Sequence, residues 1–166
     1  MAFGDGFDVQ PDPDDSRYGY AMSQGGNLAR FDKETGSSKS MKPLHPDGEI
    51  LRFNWNAAFQ QDPFDAGTIY FGSQHVHKST DRGNSWTLIS PDLTTNDTSK
   101  QIYGESGGLT YDVTGAENHT CILAIAPSPV QEGLIWVGTD DGNVQLSTDG
   151  GQHWEKVSEN MKELPL

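Results

Sequence analysis

Short apolar segments alternate with polar turns along the whole chain. In three successive stretches, two strand-like segments flank a turn rich in Gly, Asp, Asn, Gln or Ser, and a further segment precedes them. This spacing is typical of antiparallel strands joined by hairpins, and nothing has the periodicity of a helix. We therefore predict three meanders of four short strands each. The units span 4–43, 51–95 and 119–158, and their first strands lie near 7–10, 53–58 and 121–126.

A short motif marks the turn between the third and fourth strands. Residues 79–86 and 147–154 both fit Ser-x-Asp-x-Gly-x-x-Trp, and 32–39 is a weaker copy with Glu34 for the Asp and Lys39 for the Trp. The Asp accepts backbone hydrogen bonds, the Gly takes a positive φ, and the Trp packs under the turn, where we expect its ring to be largely buried. A calcium loop would need more oxygen ligands. We assign this structural role to Ser79, Asp81, Gly83, Trp86, Ser147, Asp149, Gly151 and Trp154.

The spacing of the motif locates an insertion. Gly36 and Gly83 are 47 residues apart, whereas Gly83 and Gly151 are 68 apart, a surplus of 21. The polar, Gly-rich segment 97–118 has about that length and has no counterpart in the other units. We interpret it as an inserted loop, and long loops on a rigid scaffold often carry function.

Meanders of about 45 residues are the units of a β-propeller. The fold class predicted is all-β, a partial β-propeller of about three four-stranded antiparallel blades in a single domain, 1–166. Closure needs four or more blades. We therefore expect this chain to pack against the remaining blades of a longer parent chain, to self-associate, or to be marginally stable alone.

Composition excludes several classes of function. The 166 residues carry 11 Lys and Arg against 24 Asp and Glu, a net charge of −13, which disfavours nucleic acid and anionic membranes as partners. Mean hydropathy is −0.65, and neither a membrane-spanning segment nor a signal peptide is visible. Cys121 is the only cysteine, so the sequence offers no disulfide and no cysteine-based zinc cage. No cofactor is predicted.

The two motif copies resemble the Asp-box, or BNR, repeats of sialidase-like and sortilin-like propellers. Other passages resemble exported bacterial proteins described as sortilin-like or glycosyl-hydrolase-like BNR-repeat proteins: Gly4–Phe7, Arg52–Asn56, and the run from 90–97 through 114–118 to 136–142. Those proteins are much longer, so the chain looks like an internal slice of three blades. The resemblance implies a periplasmic or extracellular location for the parent protein.

The resemblance also implies where a ligand binds. In such propellers the innermost strands start on the ligand-binding face, and the Asp-box turns lie on the opposite face. The inserted loop would cover the same mouth. Around the strand predicted near 53–58, Arg52, Asn54 and Asn56 would share the polar face, opposite Phe53, Trp55 and Ala57. The residues assigned to binding are Asp5, Arg52, Asn54, Asn56, Asn118 and His119.

Two functions remain open. The favoured one is a non-catalytic binding or scaffold module that presents loops to a protein or glycan partner. The alternative is a fragment of a glycoside hydrolase, similar to sialidases or xyloglucan-cleaving propeller enzymes, with Asp112 and Glu117 as the paired carboxylates. A solvated, loop-capping role is the simpler interpretation of these two acids, because 24 acids in one chain make chance pairs common. The sialidase version is weaker, because that family clusters three arginines and Arg82 already lies inside a motif copy.

Histidine gives one further hint. His75 and His77 project to the same side of a predicted strand, as residues two apart do. A metal site needs further ligands, and the sequence marks none, so no metal site is predicted.

Overall fold

The computed structural model describes residues 4–102 and 118–160. Within them, three sheets of four strands follow one another along the chain. The first sheet, blade 1, contains β1 (Gly6–Pro11), β2 (Tyr18–Ser23), β3 (Asn27–Asp32) and β4 (Ser38–Ser40). Blade 2 contains β5 (Phe59–Gln61), β6 (Ile69–Gly72), β7 (Val76–Ser79) and β8 (Thr87–Leu88). Blade 3 contains β9 (Ile122–Pro127), β10 (Ile135–Thr139), β11 (Val144–Ser147) and β12 (Glu155–Lys156).

Each blade is a plain antiparallel meander, in which every strand pairs with its neighbours in the chain. Single 3-10 turns at Thr98–Lys100 and Ser158–Asn160 are the helical elements of the described residues. No helix there is long and apolar enough to cross a membrane. The predicted fold class, three four-stranded antiparallel blades, is confirmed.

The predicted inner strand at 53–58 is wrong, because the first strand of blade 2 is β5 at Phe59–Gln61. The backbone before β5 is bonded to loops of both neighbouring blades instead of to a strand. The Phe53 carbonyl accepts a hydrogen bond from Asn118 Nδ2 at 2.8 Å, and the Asn54 carbonyl accepts one from Gly25 N at 3.1 Å. The Asn54 side chain also accepts from the next backbone N–H, at 2.7 Å. Such local bonds compete with a strand ladder.

The core lies between the blades. One cluster joins blades 1 and 2, where Phe53 stacks on Phe71 with ring centroids 5.4 Å apart. A second cluster joins blades 2 and 3. All four residues of β6 are buried, because both faces of blade 2 are covered. Among the described residues, blade 3 is covered on one side only, and its Leu123 and Trp136 are each more than one-third exposed.

The strand ends define two faces of the molecule. We call the first the linker face. It contains the β2–β3, β6–β7 and β10–β11 turns and the connections between blades, at 24–26, 73–75, 140–143, 41–58 and the described parts of 89–121. We call the second the turn face. It contains the remaining hairpin turns, at 12–17, 33–37, 62–68, 80–86, 128–134 and 148–154.

On the turn face, the motif of blade 2 closes its own hairpin. Asp81 Oδ1 accepts a hydrogen bond from Ser85 N at 2.8 Å, and its Oδ2 accepts one from the Ser85 hydroxyl at 2.6 Å. The Ser79 hydroxyl donates to Asp81 Oδ1 and accepts from Gly83 N, both at 2.8 Å. These bonds, chiefly those from Ser85, lower the pKa of Asp81 to about 2.

The motif of blade 3 repeats these contacts. Asp149 Oδ1 accepts from His153 N at 2.9 Å, and the Ser147 hydroxyl accepts from Gly151 N at 2.9 Å. His153 Nδ1 has the position that the Ser85 hydroxyl has in blade 2, and it lies 2.6 Å from Asp149 Oδ2. The His153 backbone and ring together hold the pKa of Asp149 at about 2. The serine, aspartate and glycine therefore form the same turn in blade 2 and in blade 3.

Both motif tryptophans reach across to the preceding blade. Trp86 Nε1 donates to the carbonyl of Met41 at 2.8 Å, and Trp154 Nε1 donates to the carbonyl of Ile89 at 2.9 Å. Met41 and Ile89 each follow shortly after the last strand of their blade. The expectation of largely buried rings needs correction, since both tryptophans are half-buried. Each lies at the rim of an inter-blade core.

The motif glycines lie against the same two residues. A Cβ on Gly83 would stand 2.5 Å from Met41 Sδ, and one on Gly151 would stand 2.7 Å from Ile89 Cδ1. Both glycines also have positive φ, +83° and +97°. Each motif therefore fastens its blade to the preceding one as well as closing a hairpin.

The weaker copy in blade 1 works differently. Asp32, rather than Glu34, accepts from the backbone, with its Oδ1 2.9 Å from Glu34 N. Arg17 holds Asp32 in a two-pronged ion pair, with contacts of 2.9 and 2.6 Å, and also contacts Glu34. Lys39, at the tryptophan position, donates to Asn84 Oδ1 of blade 2 at 2.7 Å.

Candidate binding cleft on the linker face

A cleft of about 760 Å³ opens on the linker face, where the connection between blades 1 and 2 passes over the ends of the sheets. The described residues that line it come from three parts of the chain that are far apart in sequence. The lining residues are Gly25, Lys42, Glu49, Ile50, Leu51, Arg52, Phe53, Gln101 and Asn118.

The cleft combines an apolar surface with one ammonium group. Phe53 is buried and Leu51 half-buried, whereas Ile50 is 84% exposed. Lys42 Nζ lies 4.7 Å from the centre of the Phe53 ring and donates to the carbonyl of Gly25 at 2.8 Å. Partial burial of this ammonium lowers the pKa of Lys42, although the residue as a whole is exposed. Convergence of a few polar groups on an apolar surface is typical of ligand sites.

Arg52 lines the cleft, but its guanidinium is paired with groups of the protein itself. Its guanidinium donates to Asp92 Oδ2 at 2.7 Å and to the Thr120 carbonyl at 3.1 Å, and its backbone N–H donates to Gln74 Oε1 at 2.8 Å. The side chain is only 13% exposed. Arg52 therefore ties the connection before blade 2 to the connection before blade 3.

A second network lies beside the cleft and centres on Asp140, in the β10–β11 turn. Asp140 Oδ1 accepts from Cys121 N at 2.9 Å, and its Oδ2 accepts from Asn54 Nδ2 at 3.3 Å. His119 Nδ1 lies 3.8 Å from the same Oδ2. Burial is the main cause of the raised pKa of Asp140, and burial likewise raises the pKa of the Cys121 thiol. This carboxylate joins the two connections between blades.

The predicted binding residues are partly brought together. Arg52 and Asn118 line the cleft, and Asn54 and His119 meet through Asp140. Asp5 is exposed on the same face, where its backbone N–H donates to Gln24 Oε1 at 2.8 Å. Asn56 lies apart from these, in a separate groove of about 230 Å³ that also contacts Asp8 of β1 and Leu123 of β9.

The two predicted catalytic acids, Asp112 and Glu117, lie outside the described residues, within 103–117. The residues of the described part that could hold a metal are His45, Glu49 and His75, at the edge of the cleft.

Sequence reasoning missed several residues of this face: Lys42, His45, Glu49, Gln74, Asp92 and Asp140. Most of them belong to no repeated pattern. A signal was present for Asp140, because the β10–β11 turn has two consecutive acids where the corresponding turns have Gln-Gly-Gly and Ser-Gln. Other contacts of this face join residues far apart in the sequence, such as Arg52 with Gln74, 22 positions away, and Arg52 with Asp92, 40 positions away.

No protein-family model matches this chain, and no curated protein matches it. Solved structures do. "YCF48 bound to D1 peptide" is similar over 92% of this chain, at 16% identity with a TM-score of 0.53. The GH74 xyloglucanase from Xanthomonas campestris is similar over 90% of this chain, at 23% identity with a TM-score of 0.58.

The chain spans 39% of the length of the first of these structures and 20% of the second. At such identities the likeness concerns the fold alone. Together with the three antiparallel meanders, it shows that this chain has the fold of a β-propeller, in the form of three of its blades.

Proposed function

We propose that this chain is a non-catalytic binding portion of an exported BNR-repeat propeller protein, periplasmic or extracellular, that presents its linker face to a protein or glycan partner. The observation that carries the proposal is the cleft of about 760 Å³, with Lys42 above Phe53 and Ile50 exposed at its edge. The partner would be an uncharged or acidic chain with apolar groups, which Lys42 and the apolar surface would accept.

The setting of the cleft supports binding. The face is held rigid by bonds between blades, such as Arg52 with Asp92 and Asn54 with Asp140, so little ordering is needed when a ligand arrives. One propeller of similar fold is bound to a peptide, which favours a protein ligand.

The test is a direct comparison of two ligand classes. The chain is used to select from a phage-displayed random peptide library, and it is run in affinity gels containing xyloglucan. Lys42→Glu and Ile50→Asp alter the cleft, whereas Lys33→Glu makes the same charge change at an exposed position on the turn face. We expect binding by one class, weakened at least about tenfold in both cleft variants and unchanged in Lys33→Glu.

Two results would contradict the proposal. One is a failure to bind either class. The other is binding that both cleft variants retain in full, which would place the contact surface elsewhere.

A glycoside hydrolase is the second candidate, favoured by the likeness in fold to a xyloglucanase. Asp112 and Glu117 would then act as the acid and base on either side of the glycosidic bond. Release of reducing sugar from xyloglucan, abolished by both Asp112→Asn and Glu117→Gln, would favour this candidate. The arginines give the sialidase version no support: Arg52 is paired with Asp92, and Arg17, Arg30 and Arg82 are paired with acids nearer the turn face.

A further inference from the structure

Three potential metal ligands meet at the edge of the linker face. His45 and Glu49 belong to the connection before blade 2, and His75 belongs to the β6–β7 turn. His75 Nε2 lies 3.6 Å from Glu49 Oε1, and His45 Nε2 lies 3.8 Å from Glu49 Oε2. The ligand atoms of all three residues lie within 4.8 Å of one another. Two imidazoles and a carboxylate are a known ligand set for Zn²⁺.

His75 is the second observation that points to a ligand. Its side chain is 7% exposed, and neither of its ring nitrogens has a hydrogen-bond partner among the described residues. A buried imidazole without partners loses its bonds to water and gains none in exchange. The unpartnered Nε2 is the nitrogen that faces Glu49, and a cation placed between them would satisfy it.

Glu49 is held ready to coordinate. Gln74 is fully buried and donates from Nε2 to Glu49 Oε1 at 2.7 Å, while its own Oε1 accepts from Arg52 N. The Gln74 bond is also the main cause of the lowered pKa of Glu49, and it fixes the position of this carboxylate oxygen. Hydrogen bonds that orient a ligating carboxylate are a usual feature of metal sites.

A third histidine, His77, packs beside the cluster without belonging to it. His77 is turned toward Ser73, with Nε2 2.8 Å from the hydroxyl, and its ring lies edge-on to His75.

We propose that His45, Glu49 and His75 form a Zn²⁺ site, with an open fourth position toward the cleft. Ligand atoms in a tetrahedral shell with bonds near 2.0–2.1 Å stand about 3.3 Å apart, so the present cluster has to contract when the metal binds. His45 Nδ1 now accepts from Asp47 N at 3.2 Å. Coordination through Nε2 puts the proton on Nδ1, so this contact has to be given up on binding.

The experiment uses the chain and the metal alone. Isothermal titration with Zn²⁺ at neutral pH should give one saturable site, and Co²⁺ should show the visible bands of tetrahedral coordination. His45→Gln and Glu49→Gln should each weaken binding at least about tenfold. His153→Gln, on the turn face, is the matched control and should bind as the unaltered chain does. The amide resonance of Asp47 should shift strongly with Zn²⁺.

His75→Gln, at a buried position, is a further test if it folds. Because Glu49 is exposed, Glu49→Gln keeps the proposal testable in any case. The proposal is overturned if no saturable site is found, if Glu49→Gln binds normally, or if His153→Gln loses the site instead. Since no partner is present in the titration, these outcomes leave the proposed binding function to its own test.

Discussion

On the turn face, blades 2 and 3 use the same serine, aspartate and glycine to close the turn, and in both a tryptophan donates to the residue that follows the last strand of the preceding blade. On the linker face, the equivalent turns differ. The turn of blade 1 has the double glycine Gly25–Gly26, that of blade 2 places Gln74 and His75 in the interior, and that of blade 3 supplies Asp140 to bind its neighbours.

The difference separates the contacts that build the stack of blades from those that are specific to one blade. Contacts that recur from blade 2 to blade 3 are needed wherever one blade meets the next, so they constrain the sequence repeatedly. Contacts that occur once are free to vary without disturbing the stack. The cleft and the His45–Glu49–His75 cluster consist of contacts of the second kind. The repeated contacts should therefore contribute similar amounts to the free energy of unfolding in blades 2 and 3, whereas each unrepeated contact should have an effect of its own.

The largest effect is expected for Trp154→Ala. The ring packs at the rim of the core between blades 2 and 3, and its Nε1 donates to Ile89. Removing it should lower the free energy of unfolding by about 3 kcal/mol, at the low end for a core aromatic because the ring is half-buried. Trp86→Ala should cost a similar amount if the two turns are equivalent. Chemical denaturation measures both, and costs differing severalfold would break the equivalence.

The motif glycines should come next. Gly151→Ala forces a Cβ to within 2.7 Å of Ile89 Cδ1 at a φ of +97°, so both strain and overpacking oppose it. We expect a loss of about 2 kcal/mol. Gly142, on the linker face, is the matched control. Its φ is +86° but nothing lies within 4 Å of its Cβ position, so Gly142→Ala should cost about 1 kcal/mol. Equal losses would show that crowding against Ile89 contributes nothing.

The repeated half of the molecule was open to prediction from the sequence, and the reason is physical. A turn closed by Ser79, Asp81 and Gly83 is determined by residues within five positions of one another, so its motif is visible in the sequence. The meanders are likewise local, because each strand pairs with the next one along the chain.

The linker face is determined at longer range. Nothing near Phe53 in the sequence indicates that its carbonyl is taken by Asn118, 65 residues away, and the strand predicted at 53–58 was therefore wrong. Arg52 was assigned to binding on its local sequence pattern, although its guanidinium forms an ion pair with Asp92. A contact that occurs in one blade only leaves no repeated motif in the sequence, so the sequence alone does not reveal it.

A smaller effect is expected for the Arg52–Asp92 pair, which joins the two connections between blades at 2.7 Å. Both side chains keep some exposure, 13% and 22%, so solvent screens the pair in part. A double-mutant cycle with Arg52→Met and Asp92→Asn should give a coupling energy of about 1 kcal/mol. The same cycle on Lys39→Met and Asn84→Ala, an exposed contact at the turn face, should give almost none. Equal coupling in the two cycles would mean that the linker-face network adds no rigidity.

The smallest effect is a pH dependence on the turn face. The folded chain lowers the pKa of Asp149 from 3.8 to about 2, mainly through hydrogen bonds from His153. As the pH falls below about 4, the unfolded chain takes up this proton before the folded chain does, so the contribution of Asp149 to stability is complete above that pH and disappears near pH 2. Asp149→Asn should therefore be less stable than the unaltered chain at neutral pH, and the gap should close as the pH approaches 2. Glu155→Gln, at an exposed position in β12, is the control and should show no such convergence. A gap for Asp149→Asn that stays constant down to pH 2 would mean that the ionised carboxylate does not hold the turn, and that the repeated motif stabilises the blades through its glycine and tryptophan alone.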